Sequence, residues 1–354
     1  MVVQYKCPCC GADMKFDSIT GKLLCESCSY TSDIDTMQRN QNGNTTSSES
    51  YSNSTGSTSY GSQINQYICN NCGAVLITEP DTTATTCNFC GAPVVLADRL
   101  SGESSPHYVI PFQINKEQAQ EAFKKWCKKG RLTPAGFMTA DRIKSMTGLY
   151  VPFWLYDLQT NGEMNAACTH VSTYEQGDYI VTETKHYNVH RSANLSYLKV
   201  PVDASAKMND QLMDKLEPFD YRSLKHFNMP YLAGYVAEKY NYTDKDLFPR
   251  VQARVANYVE TYLRSSITGY SSVSVLDRRI HIRPRNAFYA LLPVWLVAYD
   301  YKDSEHVFAM NGQTGKIVGR PPLSKGKIFA WFGGITAVSF AIIKIIALLA
   351  GGGF

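Results

Sequence analysis

A cysteine spacing, used twice, restricts what the first ninety residues can become. Cys7 and Cys10 are two residues apart, fourteen residues separate Cys10 from Cys25, and Cys28 follows after two more. Cys69, Cys72, Cys87 and Cys90 repeat the pattern, so both clusters read C-x2-C-x14-C-x2-C and the segment is an internal repeat. A two-residue gap lets both thiolates of a knuckle face one ion, and a spacer of this length accommodates a hairpin that returns the second knuckle to the first. Four thiolates then close a tetrahedron with no place for water, which is a structural zinc site. Gly11, Gly73 and Gly91 directly follow knuckle cysteines, where the turn favours a residue tolerant of positive φ. The metal ligands are therefore expected to be Cys7, Cys10, Cys25 and Cys28 for one Zn2+, and Cys69, Cys72, Cys87 and Cys90 for a second. Disulfides are disfavoured: the eleven cysteines are an odd number, and the first residues, MVVQYKCPCCG, lack a signal-peptide apolar run. Cys9 lies inside the first knuckle and could exchange with a neighbour. Cys127 and Cys168 read as small core residues.

The remaining chain divides by composition. Ribbons are expected at residues 1–35 and 67–97. The intervening 36–66 is a flexible linker rich in Ser, Asn, Thr and Gly, so the ribbons are expected to be tethered without being fixed to each other. Residues 98–320 read as a central α+β domain. Asn115 with Gln118 caps a helix, Pro134 opens a second, and 207–217 and 221–228 read as short helices. Asp246 is expected to cap a helix to about Ser266, with Pro249 in the first turn and Val251, Val255, Val259 and Tyr262 as its apolar stripe. Strands are expected at 148–157, 179–200, 273–282 and 290–300, with a turn at Asn311-Gly312. The segments LYVPFWLYD (149–157) and LLPVWLVAYD (291–300) share Pro, a spacer, Trp-Leu and a final Asp. Either an α+β half is duplicated, the favoured reading, or two edge-proximal strands have converged, since proline cannot donate to a ladder.

Residues 328–350 carry one charge, Lys344, in 23 positions. As a helix this segment is about 34 Å long, against about 30 Å of bilayer hydrocarbon, and Lys344 is near enough to one end to snorkel. Lys325 and Lys327 precede it, which by the positive-inside rule places residues 1–327 in the cytoplasm. The expected fold class is thus α+β, with two zinc ribbons, a central domain and one transmembrane helix, in a single-pass cell-membrane protein.

The knuckles CPCCG and CNFCG resemble zinc ribbons of the transcription factor IIB type. With YVPFWLYD, VPVDASAKMND, PYLAGYVAEKYN, LLPVWLVAYDY and NGQTGKIVG, the layout resembles a family of Gram-positive bacterial membrane proteins. That family is often labelled replication-restart helicase. The resemblance implies partners among SPFH-like and phage-shock-type proteins in envelope stress.

No Walker loop, G-x-G-x-x-G, G-x-S-x-G or H-E-x-x-H occurs, and no nucleophile–base pair stands out, so an enzyme is not expected. His186 and His190 lie on a strand, where four residues span about 13 Å, too far for one ion. Nucleic acid is disfavoured as a partner: residues 67–97 have no Lys or Arg, and residues 1–35 have three Lys against five acidic residues. The chain therefore reads as a non-enzymatic membrane-tethered adaptor, with a zinc-ribbon nucleic-acid binder as the alternative. Its partners would be the bilayer, other proteins and further copies of itself.

Overall fold

A computed structural model describes residues 1–37, 65–102, 105–128, 130, 132–134, 146–301, 304–321 and 323–349. The first ribbon contains β1 (Val2–Val3), β2 (Met14–Asp17), β3 (Lys22–Cys25) and β4 (Thr31–Ser32). The second contains β5 (Asn65–Ile68), β6 (Val75–Thr78), β7 (Thr82–Thr86) and β8 (Pro93–Leu96). The platform follows as β9 (Tyr108–Val109), α1 (Lys116–Lys128), β10 (Thr147–Gln176) and β11 (Tyr179–Asp203). After these come α2 (Asp210–Leu216), β12 (Lys225–His226), β13 (Val236–Glu238), α3 (Asp244–Ser265), β14 (Ser272–Tyr301), β15 (Ser304–Asn311) and β16 (Ile317–Val318). The chain closes on α4 (Lys325–Leu349).

An eleven-stranded sheet runs β1-β8-β7-β13-β10-β14-β15-β16, with β11 and β9 pairing on β10 and β14 and β12 on β9. Two faces are filled, which explains the unbroken apolar runs of the central strands. On β10, Tyr150, Trp154 and Tyr156 join one core with α3 and the first ribbon. Leu149, Val151, Phe153 and Leu155 join a second, with Met213 and Leu216 of α2.

β10 and β14 are equivalent across an approximate two-fold axis near Val151 and Leu292, which face each other. β10 pairs in parallel with β13 at Leu149 and Tyr150, passes Pro152, and pairs antiparallel with β11 from Phe153. β14 pairs in parallel with β9 at Ala290 and Leu291, passes Pro293, and pairs antiparallel with β15 from Val294. Each proline sits where the ladder changes partner strands, so its missing N–H leaves no acceptor unpaired. Its carbonyl is used, by Ala204 N–H at 2.9 Å for Pro152 and by Gly312 N–H at 2.8 Å for Pro293. Trp154 Nε1 donates to the Tyr242 carbonyl (2.9 Å) and Trp295 Nε1 to the Ile114 carbonyl (3.0 Å). Each acceptor lies one residue before a helix cap, and both helices carry capping boxes, Asn115/Gln118 and Thr243/Asp246. Phe112 packs on Trp295 at 5.1 Å and Tyr240 on Trp154 at 5.3 Å. The two similar segments are thus paired central strands, not edge strands, because the change of neighbour accommodates proline inside a sheet.

Several expectations change. Residues 273–282 and 290–300 are one strand, and 149–157 opens a strand that runs on to Gln176, because β10, β11 and β14 extend together well beyond the core. Residues 221–228 form a 3-10 turn (Tyr221–Ser223) and β12 instead of a helix. Thr243, not Asp246, caps α3; Asp246 supplies the reciprocal bond, and Pro249 falls beyond the first turn. Tyr262 is exposed, and Leu263 completes the stripe after Val259. Gly162 of β10 lies under this stripe, where a Cβ would stand 2.5 Å from Val259 Cγ1. The helix expected after Pro134 and linker residues 38–64 lie outside the described residues.

α4 is long and apolar enough to cross a bilayer, over Lys325–Ile346 with mean hydropathy 1.9, and none of it is buried against the protein. Its base is held by Ser324 N–H to the Leu132 carbonyl (2.8 Å) and Lys327 Nζ to the Thr133 carbonyl (2.7 Å).

Candidate metal centres

Each knuckle is a small hydrogen-bonded loop. Gly11 N–H donates to the Cys7 carbonyl and Cys7 N–H to the Ala12 carbonyl; Gly73 and Cys69, and Gly91 and Cys87, repeat the pair. Gly11, Gly73 and Gly91 have φ between 73° and 74°. The fourth knuckle uses Ser29 at φ 60°, a position the glycine pattern does not reveal. The first cysteine of each knuckle is buried and the second exposed.

The eight expected ligands converge. In each group the four Sγ atoms lie within 4.8 Å of one another. Cys7–Cys28 and Cys10–Cys25 are 3.5 Å apart, and Cys69–Cys90 and Cys72–Cys87 are 3.8 Å apart. Four sulfurs at about 2.3 Å from one zinc stand about 3.8 Å apart, so both quartets fit a tetrahedral ion. The two groups are positioned to bind two zinc ions. Within each quartet the thiols divide: donors lower Cys7 and Cys25 in the first and Cys69 and Cys90 in the second, while neighbouring thiols raise Cys28 and Cys72. Burial acts upward on Cys7, but the backbone N–H groups of Cys10 and Cys9 outweigh it and hold the thiol at about 6. The Asn71 side chain, with the Ala92 N–H, lowers Cys90 to about 6. Cys9 is exposed outside the quartet, Cys168 is buried, and burial pushes the Cys127 thiol up to about 11.

The ribbons are fixed to each other, contrary to the expectation from their linker. β1 pairs with β8, Val2 against Leu96 and Val3 against Val95. The Met1 ammonium meets Asp98 at 2.7 Å. Gln4 Nε2 donates to Cys69 Sγ (3.6 Å), and Lys6 Nζ to Asn71 Oδ1 (2.8 Å), which ties the first ribbon to the second metal site. The linker composition describes only the connection; the strand added by residues 2–3 is too short to register as a periodic pattern.

Both ribbons are also built into the platform. Phe16 N–H donates to the Ala233 carbonyl (2.9 Å), and the Phe16 ring packs on Tyr231 at 5.3 Å. β7 pairs with β13, and Lys207 Nζ contacts Glu79, Asp81 (3.0 Å) and Glu238 (3.2 Å) across the junction. Burial works against the Lys207 charge, but the three carboxylates raise its pKa. Burial likewise acts upward on Asp81, and the bond from Lys207 holds its carboxyl below the usual range.

The ribbons differ on their outer faces. In the first, Lys6 and Asp13 face each other and form a salt bridge at 2.6 Å, with Lys15 two residues on. The equivalent positions of the second are Ile68, paired with Val75, and Ile77. Ile68 is 63%, Val75 51% and Ile77 67% exposed, and Phe89 on the knuckle is 75% exposed.

No family model and no solved structure matches the chain. Among curated proteins, the uncharacterized protein YdjG of Bacillus subtilis (strain 168) is 54% identical over 354 residues, the full length of both chains. With that identity over the full length of both chains, the chain belongs to the same family as YdjG.

Proposed function

We propose that the chain is a non-enzymatic, membrane-tethered zinc-ribbon adaptor whose second ribbon docks a protein partner. One observation carries this reading: Ile68, Val75 and Ile77 are exposed where the first ribbon has Lys6, Asp13 and Lys15, and Phe89 is exposed on the second ribbon's knuckle. Ile68 and Val75 are cross-strand neighbours with Ile77 two residues on, and an exposed apolar cluster of this kind is characteristic of a protein contact. Docking on a rigid body is efficient because little freedom is lost on binding. α4 supplies the tether, and Lys325 and Lys327 at its start favour a cytoplasmic platform. The partners we propose are those the family resemblance implies, SPFH-like and phage-shock-type proteins.

A cleft of about 450 Å3 between ribbons and platform is lined by Lys15, Asp17, Glu26, Lys116 and Glu117 among others. Lys15 and Glu26 in this lining form a salt bridge at 2.8 Å.

The test is co-purification from detergent-solubilised membranes, with and without nuclease, of the natural chain and an Ile68→Asp/Ile77→Asp variant. Nuclease-resistant membrane proteins recovered with the natural chain and lost with the variant are expected. Replication or transcription proteins that disappear on nuclease treatment would overturn the adaptor in favour of nucleic-acid binding.

A further inference from the structure

β11 offers one long unpaired edge. It pairs with β10 throughout, and no described strand pairs with its other side, where the outward His190 carbonyl accepts a bond from Arg191 Nη1 (3.0 Å) that a partner strand would replace. β14 is also open where it runs beside β10 before reaching β9, but that edge carries Arg278, Arg279, Arg283, Pro284 and Arg285. Charge and proline are the usual means of keeping an edge from pairing. From Tyr179 to Tyr197, β11 has neither proline nor glycine, and its only register shift lies beyond, where Leu198 and Lys199 stand opposite Asp157.

Which backbone groups face outward follows from the hairpin. Gly177 (φ 64°) and Asp178 form a two-residue turn closed by Gln176 and Tyr179. The closing pair of such a turn is hydrogen-bonded, so odd-numbered residues of β11 bond to β10 and even-numbered ones point outward. β10 agrees: its odd-numbered Thr169 and Val171 bond Ser271 on the opposite side.

We infer that this edge pairs antiparallel with the same edge of a second copy, about a two-fold axis at Tyr187. That register sets His186 against Asn188 and Thr184 against His190 of the second copy, with their outward backbone groups matched. It sets Glu183 against Arg191 twice and Val181 against Ala193 twice. Shifting the axis to Asn188 opposes Lys185 to Arg191, and shifting it to Lys185 opposes that lysine to itself. Like charges directly opposite are unfavourable, so charge selects Tyr187 among these axes. The two-fold axis is perpendicular to the sheet, so the contact is closed and stops at two chains.

The test uses the full-length chain in detergent and in nanodiscs. Tyr187→Cys, in a Cys9→Ser background, places two thiols in a non-hydrogen-bonded pair, close enough for a disulfide. Mild oxidation is expected to give a covalent dimer, whereas Arg279→Cys on the other open edge stays single. Glu183→Arg and Arg191→Glu should each weaken association about tenfold by light scattering, and the double reversal should restore it. Retention of two zinc ions per chain shows that a variant is folded. A monomeric mass at every concentration, equal cross-linking at 187 and 279, or a different protein cross-linked at Tyr187→Cys would each overturn the inference.

Discussion

Cys25 and its seven counterparts are placed by backbone loops that exist for that purpose, so loss of one thiol should empty one centre and spare the other. Cys25→Ser is expected to lower bound zinc from two ions to one per chain, measured by elemental analysis. A zinc ribbon of this size draws on the order of 10 kcal/mol of folding energy from its metal, so the first ribbon should then become protease-sensitive. Lys207 makes a second prediction at this scale. Lys207→Met leaves Glu79, Asp81 and Glu238 facing one another and should cost about 1–2 kcal/mol in a denaturant titration, discounted for partial exposure. Because the folded Asp81 carboxyl sits below its ordinary value, its contribution is complete above the usual carboxylate range. It is lost as pH falls through the folded value, and the variant should show a flatter acid limb. The ligands were legible in the sequence because metal coordination fixes residue type and spacing together. Lys207 was not: its three partners come from two elements far apart in the chain, and no local pattern records such a meeting.

Among the elements, α3 and β10 meet through an absence of side chain. Gly162 admits Val259, and Gly162→Val should overpack the contact and cost about 1–3 kcal/mol, read as a lower thermal midpoint. Helix α3 itself was legible from its four-residue apolar spacing and its acidic start; its cap was misplaced by three residues, which also put Pro249 in the first turn, since Thr243 and Asp246 are both good capping residues and the bond geometry decides, and the end of the stripe shifts from Tyr262 to Leu263. The long strands were legible only in part. Their central stretches are buried on both faces and read as apolar runs. Their outer stretches, such as 170–185, are exposed on both faces and so lack the alternation that marks a half-buried strand.

The whole platform is two similar halves, each of a short strand, a capped helix, a long strand and its returning partner. Equivalent residues should therefore carry equivalent energies. Trp154→Phe and Trp295→Phe each leave one carbonyl before a helix cap without its indole donor, and each should cost about 1 kcal/mol by chemical denaturation. The repeated Pro-x-Trp-Leu was visible in the sequence, but not that the repeats would face each other, because pairing is set by chain topology.

The short strands, finally, are exchanged. β9, from the first half, lies on β14 of the second, and β13, from the second, lies on β10 of the first. Neither half closes its own sheet, so neither is a folding unit, and severing the chain between β11 and β13 yields two pieces that each hold what the other lacks. The platform parts of such pieces should be unstructured apart, leaving only the zinc ribbons folded, and should assemble when the pieces are mixed. The intact platform should lose hydrogen-exchange protection at β9 and β13 in a single step, as a clasp does when either hook is drawn.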